Sequence, residues 1–274
     1  MPCACHPFGL SRRLLLASAA TLLACPAFTQ PAFGQPAPAP APDPKLIDDL
    51  VAANRILYDQ GVVDGFGHVS VRHDRDPARY LLARSMAPAL VTAGDILEYD
   101  LDSTAIDPQG RTSYLERFIH GEIYRARPDV MSIVHSHSPG VIPFADVGVP
   151  LRPMNHIAAF LGGGVPVFEI RDTAGTGTDM LIRSAGLGRA LAVAMGSHDV
   201  ILMRGHGSTA AGPSIRHAVF RAVYTEVNAR EQADALRLGT PTYLSDDEAR
   251  AATITGNGLV DRPWELWKQK AIPG

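Results

Sequence analysis

Residues 112–139 read TSYLERFIHGEIYRARPDVMSIVHSHSP, and this stretch decides the fold. Its first half carries apolar residues at helical spacing, which predicts a helix over 112–127 that Pro128 ends. Its second half predicts a strand over 130–134 that leads into His135-Ser136-His137. Because residues two apart on a strand point to the same side, we expect both imidazoles to converge on one point.

A third imidazole comes from a distant part of the chain. The predicted strand over 200–203 runs into Gly205-His206-Gly207, and Glu116 on the predicted helix adds a carboxylate. Three imidazoles and one carboxylate form a ligand set for a divalent cation that leaves room for a substrate. From the residues alone, two partly exposed histidines at a strand end remain the alternative interpretation of the His-x-His pair.

Five short motifs in a fixed order carry a family resemblance. They are Phe66-Gly67-His68-Val69-Ser70, Glu116-Arg117-Phe118, Arg127-Pro128-Asp129, His135-Ser136-His137 and Gly205-His206-Gly207. Over roughly residues 46–236 the sequence resembles the class II aldolase and adducin family. The resemblance implies an α/β fold, a layered α/β/α domain whose central sheet is mostly antiparallel or mixed.

The resemblance also implies a metal site. His135, His137 and His206 would hold one divalent metal ion per subunit, and Glu116 would either bind that ion or move a proton. Zinc or manganese is expected, with iron or cobalt as alternatives, because such ligands do not select strictly among them. In the family the sites lie between subunits of a tetramer, so a homotetramer is expected.

The substrate-binding motifs depart from those of sugar-phosphate members such as fuculose-phosphate aldolase. His68 replaces the phosphate-binding asparagine of the first turn, and the glycine of the second loop and the serine pair are lost. Since a planar guanidinium suits a carboxylate, we expect a carboxylate rather than a phosphate to bind here. The candidate substrate-binding residues are His68, Ser70, Arg84 and Ser85. Arg84 in a surface ion pair and His68 bonded only within its turn are the alternatives. Two further histidines are candidates for a supporting role around the site, His120 and His156.

This pattern resembles the branch of the family that decarboxylates hydroxylated aromatic or pyridine carboxylates. The expected function is a metal-dependent carbon–carbon lyase acting on such a small carboxylate, with Glu116 protonating the carbanion. An aldolase, epimerase or dehydratase acting on a non-phosphorylated hydroxy acid or sugar is the alternative, and decarboxylation and aldol cleavage stay open. A non-catalytic, adducin-like interaction protein is least favoured, because the chain keeps all four candidate ligands.

The N-terminal residues predict export. Ser11-Arg12-Arg13, an apolar run over 14–25 and small residues up to Gly34 form the pattern of a signal over 1–34, and the paired arginines resemble a twin-arginine signal. We expect a periplasmic enzyme, with a lipid anchor at Cys25 as the alternative. All three cysteines fall in this segment, so no disulfide is expected in the mature chain.

The rest of the chain gives the domain plan. A Pro/Ala linker is expected over 35–44, the main domain over 45–238 and a C-terminal extension over 239–274. The family resemblance implies that this extension contacts a neighbouring subunit, where Tyr243 and Trp264 would complete that subunit's pocket. Further helices are predicted over 45–61, 184–195 and 214–238, and strands over 69–71, 80–82 and 165–170. The net charge of −3 without a basic stripe gives no indication of nucleic-acid binding. The N-terminal apolar run is too short for a membrane span.

Overall fold

The computed structural model describes residues 40–272 of the 274-residue chain. The predicted export signal over 1–34, with its paired arginines and Cys25, lies outside the described residues, as does much of the predicted linker. Within the described range, the helices are all too short or too polar to cross a membrane.

One mixed sheet of eight strands organises the described residues. The strands are β1 (His68–Arg72), β2 (Arg79–Ala83), β3 (Ile96–Asp100), β4 (Ala105–Ile106), β5 (Ser132–Ser136), β6 (Val167–Phe168), β7 (Val200–Met203) and β8 (Gly207–Gly212). Their spatial order is β4-β3-β2-β1-β5-β8-β7-β6. All neighbours are antiparallel except β6 and β7, which run parallel. The predicted mostly antiparallel or mixed sheet is confirmed.

Helices cover both faces of this sheet. They are α1 (Pro44–Asp59), α2 (Phe118–Ala126), α3 (Ile142–Val147), α4 (Arg171–Ala174), α5 (Ala185–Met195), α6 (Ile215–Leu238), α7 (Asp246–Asn257) and α8 (Asp261–Ala271). Because strand side chains alternate between faces, Leu81 packs in a core with α1 and α6, whereas Tyr80 and Leu82 pack in a second core with α2 and α5. Two cores on opposite faces give the predicted α/β/α layers.

Several elements follow directly from local sequence signals. Gly61, at φ +67°, follows α1, as a C-terminal glycine commonly does. The side chain of Ser184 accepts from the backbone N–H of Leu187 at the start of α5, and Ser214 does the same for His217 at the start of α6. These three predicted helices and the strands β1, β2 and β7 are confirmed.

Over residues 112–136 the helix and the strand have other bounds than predicted. The helix predicted over 112–127 begins only at Phe118, because the backbone before it is engaged elsewhere: the Thr112 carbonyl accepts from the Ser85 N–H. The strand predicted over 130–134 runs over Ser132–Ser136 instead, so His135 lies within β5 and His137 just beyond it. The prediction that Glu116 lies on a helix is therefore wrong.

The C-terminal segment packs on its own domain. Trp264 in α8 is 1% exposed and belongs to the core that contains α1, and Lys268 Nζ lies 2.9 Å from Asp49 Oδ1. Tyr243 accepts a hydrogen bond from Gln232, and the Arg152 guanidinium lies over its ring. The hypothesis that Trp264 completes a neighbouring pocket is wrong, because its side chain is buried within its own chain.

Candidate metal centre and substrate cavity

Four side chains from three separate segments meet at one end of β1 and β5. Glu116, His135, His137 and His206 each offer one donor atom, and these atoms all lie within 4.8 Å of one another. The structure thus brings together the four residues that the sequence analysis proposed as ligands. Each segment holds its donor by a different local feature.

The sheet positions His135. In β5 it points to the same face as Ile133, and it pairs across the sheet with His68 on β1 and Thr209 on β8. Its Nδ1–H donates to the Ser208 carbonyl over 3.1 Å, which directs Nε2 toward the other ligands. His137 follows two residues later on the same side, as the strand period requires.

A tight hairpin positions His206. The turn between β7 and β8 places Gly205 at φ +63°, and its N–H donates to Asp146 Oδ1 over 2.7 Å. A Cβ on Gly207 would lie 2.0 Å from the Ser136 carbonyl oxygen, so only glycine lets β8 approach β5 here. Close pairing of these strands brings His206 Nε2 to 3.0 Å from His137 Nε2.

The carboxylate of Glu116 arrives from the turn that precedes α2. Its Oε1 accepts the backbone N–H of Ile182 over 2.9 Å. Its Oε2 lies 3.5 Å from His135 Nε2 and 3.3 Å from His206 Nε2. One oxygen is therefore anchored to the backbone, and the other faces the imidazoles.

The spacing of these atoms suits a divalent cation. The Nε2 atoms of His135 and His137 lie 3.3 Å apart, and three of the five other pairs in the cluster lie 3.0 to 3.5 Å apart. Ligands at about 2.1 Å from a zinc ion in a tetrahedron lie roughly 3.4 Å from one another. Nitrogen and oxygen donors from histidine and glutamate complete a set that first-row divalent metals accept.

The electrostatics favour the ligating forms of these groups. Burial works to raise the pKa of Glu116, but hydrogen bonds and charge from His135 and His206 outweigh it and hold that pKa well below its ordinary value. Burial, reinforced by His135 and His206, lowers the pKa of His137 to about 4. At neutral pH the protein thus offers a carboxylate and a neutral imidazole, the forms that bind metal.

A cavity of about 290 Å³ opens beside the ligands. It is lined by Gly65, Phe66, Gly67, His68, Ser85, Met86, Ala87, Tyr114, Leu115, Glu116, His137 and Leu181. The lining is mostly apolar and, within the part of the chain that the structure describes, includes no lysine or arginine. A volume at the lower end of the usual range for ligand sites suits a small substrate.

His68 enters this cavity from β1 and is held from behind. Its Nδ1 lies 2.7 Å from His120 Nε2, and His120 Nδ1 lies 2.6 Å from Ser70 Oγ. Ser70 Oγ in turn lies 2.7 Å from the Tyr124 hydroxyl. Burial lowers the pKa of His68 well below its ordinary value and that of His120 to about 3, so both rings are neutral at physiological pH.

Three of the predicted substrate or supporting residues do not face the cavity. Ser70 is fully buried, with its hydroxyl between His120 and Tyr124. Arg84 Nε donates to Asp95 Oδ1 over 2.7 Å and is absent from the cavity lining, as the ion-pair alternative stated. His156 is exposed and lines a different cavity. Carboxylate binding by Arg84 therefore requires a rearrangement, whereas His68 and Ser85 already line the cavity.

Two tyrosines of the site were not predicted. Tyr114 lines the cavity with its ring centroid 4.6 Å from that of His68, and Tyr124 ends the buried chain behind His68. Tyr124 lies four residues after His120, so both side chains share one side of α2. That spacing was the available signal, but only the packing of α2 on β1 gives it meaning. His120, predicted as a supporting residue for Glu116, contacts His68 instead.

Comparison with known proteins places this geometry in a family. The model of the class II aldolase and adducin N-terminal domain matches residues 48–233. The decarboxylase tropJ of Talaromyces stipitatus is 35% identical over 248 residues, which cover 82% of this chain and 93% of that protein. A 3,4-dihydroxyphthalate decarboxylase of Terrabacter sp. is 34% identical over 198 residues, covering 66% of this chain and 77% of that protein.

The fold agrees with these matches. The L-fuculose 1-phosphate aldolase from Glaciozyma antarctica superposes with a TM-score of 0.69 at 24% identity, covering 82% of this chain and 89% of that one. The chain belongs to the class II aldolase and adducin family. Because its relatives are decarboxylases and class II aldolases, the predicted class of carbon–carbon lyase is also confirmed.

Proposed function

We propose that the protein is a metal-dependent decarboxylase of a small hydroxylated aromatic or heteroaromatic carboxylic acid. The observation that carries this proposal is the cavity itself, in which the ligand cluster of Glu116 and His137 adjoins the donors His68 and Ser85 on an otherwise apolar lining. The names of the relatives support the same reaction, since tropJ is a decarboxylase and the Terrabacter protein acts on a dihydroxyphthalate.

Two groups of residues would contact opposite sides of the substrate, one through the metal ion and one through hydrogen bonds. His135, His137, His206 and Glu116 would hold the divalent ion. A bound divalent cation supplies a Lewis acid that accepts electron density from an oxygen next to the carbon that loses its carboxylate. On the other side, His68 and Ser85 bind and orient the scissile carboxylate. Met86 and Leu181 cover the ring and keep water away.

Glu116 is suited to move one proton. Glu116 is ionised at rest, and its Oε2 would either ligate the ion or, in its second role, take the proton of the substrate hydroxyl. When carbon dioxide leaves, the same proton returns from Oε2 to the ring carbon, and the carboxylate is regenerated. The hydrogen bond from Ile182 to Oε1 keeps the side chain aligned through both transfers.

An aldolase acting on a non-phosphorylated substrate is the second candidate, because the same ligands serve aldol cleavage. A relative named 5-methylthioribulose-1-phosphate/5-deoxyribulose-1-phosphate aldolase, from Rhodospirillum rubrum, is 28% identical over 71% of this chain and 89% of that protein. His68 stands in place of the phosphate-binding asparagine of the sugar-phosphate members, and the serine pair of those members is lost, which disfavours a phosphate ester. Epimerase and dehydratase chemistry would instead leave the carbon count of the substrate unchanged.

Metal identity, assembly and location complete the proposal. We propose zinc or manganese, with iron or cobalt as alternatives, since the mixed histidine and carboxylate set accepts all four. A homotetramer is supported by apolar side chains at the cavity rim, where Phe66 is 68% exposed and Leu115 is 58% exposed. Periplasmic export is supported by the sequence pattern of residues 11–34.

The test is metal analysis followed by a carbon-dioxide release screen. Purified protein loaded separately with zinc and with manganese is incubated with a panel of hydroxybenzoates, hydroxypyridine carboxylates and dihydroxyphthalates. We expect carbon dioxide release with at least one acid and none after treatment with a chelator. Release of an aldehyde from hydroxy acids, with no carbon dioxide from the panel, would replace this proposal with the aldolase. The variant Glu116→Gln, which keeps an oxygen donor but cannot carry the proton, is expected to lose about 10²–10⁴-fold in kcat.

A further inference from the structure

Four buried polar groups form a continuous hydrogen-bonded chain behind the cavity. It runs from Tyr124 through Ser70 and His120 to His68, with donor–acceptor distances of 2.7, 2.6 and 2.7 Å. His68 lines the cavity, whereas Tyr124 is 1% exposed. Among the described residues, Ser70 Oγ is the hydrogen-bond partner of the Tyr124 hydroxyl and no other is found. The chain thus has one closed end and one end open to the substrate.

The closed end fixes the direction of the chain. A tyrosine hydroxyl carries one proton, and a buried donor without an acceptor bears the full cost of its desolvation. The Tyr124 hydroxyl therefore donates a hydrogen bond to Ser70 Oγ, and the Ser70 hydroxyl donates a hydrogen bond to Nδ1 of His120. Because Nδ1 of His120 accepts this hydrogen bond, the proton of His120 is on Nε2 and is donated to Nδ1 of His68, which accepts and so leaves that ring neutral as well. The proton of His68 is then left on Nε2.

The opposite direction is less favourable at both ends. It would place the protons of His68 and His120 on Nδ1 and leave the hydrogen of the Tyr124 hydroxyl without an acceptor. It would also present a nitrogen lone pair to the cavity, which repels a carboxylate. Among the described residues the one hydrogen-bond partner of the His68 ring is at Nδ1, and Nε2 is not one of the fully buried unpaired atoms, so Nε2 is accessible, and His68 lines the cavity.

We propose that the hydroxyls of Tyr124 and Ser70, acting through His120, lock His68 as a neutral Nε2–H donor to the substrate carboxylate. This inference rests on the proposed function, because it needs a carboxylate in the cavity. His68 is the residue that contacts the substrate, and the other three are positioning residues. The His68 ring centroid lies 5.0 Å from that of the ligand His135, so the donor stands next to the metal ligands.

The direct test is the tautomer of each histidine. Protein loaded with zinc and labelled with ¹³C,¹⁵N-histidine is studied by solid-state NMR, which separates Nδ1–H from Nε2–H rings by their nitrogen and carbon shifts. The signals of His68 and His120 are assigned by their loss in His68→Gln and His120→Gln. We expect both rings as Nε2–H tautomers, with His135 as an Nδ1–H internal reference because it donates to Ser208. Nδ1–H at both His68 and His120 would overturn the proposal.

A second variant tests the role of the hydroxyl end. Ser70→Ala removes the link to Tyr124, so neither direction of the remaining chain is favoured by a buried hydroxyl. We expect the His68 signal to divide between both tautomers in this variant. A single unchanged tautomer in Ser70→Ala would mean that something other than the hydroxyls sets the direction, contrary to the proposal.

Steady-state kinetics on an acid that the enzyme decarboxylates give an independent readout. His120→Leu removes the donor to His68, and we expect kcat to fall by about 10²-fold, the usual cost of losing one preorganised donor. His120→Gln keeps an N–H donor near the position of Nε2 and should recover roughly tenfold of that loss. Equal losses in the two variants, at equal melting temperature, would contradict the positioning role.

The NMR result separates this inference from the proposed function. If no acid releases carbon dioxide but His68 is the Nε2–H tautomer, the locked donor stands and the choice of reaction fails. If carbon dioxide is released and His68 is the Nδ1–H tautomer, the reaction stands and the locked donor fails.

Discussion

At the scale of single residues, His135 is the most buried of the four candidate metal ligands, and its Nε2 lies near His137 and Glu116. We expect His135→Ala to lower zinc affinity by more than about 100-fold, since even the loss of an outer hydrogen-bond partner of a ligand costs 10–100-fold. Metal content after dialysis, measured by mass spectrometry, checks this. His156→Ala is the matched control, because His156 lines a different cavity and its variant should keep full occupancy. The reverse pattern would overturn the ligand assignment.

His120 gives the metal-free protein a pH-dependent stability. Burial lowers the pKa of His120 to about 3, whereas in the unfolded chain a histidine titrates near 6.5. As the pH falls below about 6.5, the unfolded chain takes up the proton first, so the free energy of unfolding decreases until the pH reaches about 3. Between pH 7 and pH 5 this group alone should remove about 2 kcal/mol.

Denaturant unfolding at a series of pH values, with chelator present, measures this loss. His120→Gln should flatten the dependence by about one proton over that range. The exposed His156 provides the control variant His156→Gln. If wild type and His120→Gln show the same slope, the buried neutral state of His120 is wrong.

The hairpin formed by β7 and β8 is the element on which the third imidazole depends. A Cβ at Gly207 would lie 2.0 Å from the backbone oxygen of Ser136, an atom that cannot rotate away. We expect Gly207→Ala to cost about 2–3 kcal/mol of stability, as overpacking does, and to weaken zinc binding as His206 moves away. Thermal unfolding and zinc titration check both effects.

Gly256 in α7 offers the contrasting glycine. A Cβ there meets nothing within 4 Å, and the position is helical, so Gly256→Ala should be neutral or stabilising by up to about 1 kcal/mol. A Gly207→Ala protein with wild-type stability and zinc affinity would show that the close approach of β8 to β5 does not hold the site.

The elements that sequence analysis found are those with strong local signals. α5 and α6 have serine caps, and β7 is a continuous apolar run, so each could be predicted within a residue or two. β8 reads GSTAAG and was missed, because small residues carry no strand signal until β5 and β7 flank them. The start of α2 was misplaced because tertiary hydrogen bonds, rather than helical periodicity, hold the backbone before Phe118.

In the site, too, features with a local sequence signal could be predicted and features set by tertiary packing could not. The convergence of His135 and His137 could be predicted, because a two-residue spacing has a direct meaning on a strand. The hydrogen-bonded chain behind His68 could not be predicted, since it requires β1 to pair with β5 and α2 to pack over both strands. Arg84 was expected in the pocket on chemical grounds, but a nearby carboxylate, Asp95, takes up its guanidinium. Competition between partners of this kind is invisible in a linear sequence.

At the scale of the whole molecule, we expect the active protein to be a tetramer. Phe66 and Leu115 expose apolar surface at the rim of the cavity, and a neighbouring subunit would remove that surface from water. A dilution series followed by analytical ultracentrifugation and activity measurement checks this. Activity should fall as the assembly dissociates, and a fully active monomer would contradict the expectation.

We also expect export to depend on the paired arginines. In a bacterial host that has the twin-arginine pathway, the double variant Arg12→Lys/Arg13→Lys should keep the protein in the cytoplasmic fraction, whereas the wild type reaches the periplasm. Cys25→Ala distinguishes a soluble periplasmic protein from one that is anchored to the membrane by a lipid at Cys25. If the wild type is in the membrane fraction and Cys25→Ala is soluble, the lipid-anchored alternative is correct and the soluble periplasmic enzyme is not.

The register between β1 and β5 has a consequence for which isomers can react. His68 and His135 face each other on adjacent strands, so the distance between the donor and the nearest ligand is set by the spacing of the sheet and not by a flexible loop. This fixed distance would select substrates by the separation between their hydroxyl oxygen and their carboxylate oxygen. We therefore expect salicylate-type acids, whose hydroxyl and carboxyl groups are neighbours on the ring, to react, and their para isomers not to react. Regioselectivity would then be a property of strand pairing, inherited with the fold and difficult to change by altering the rim.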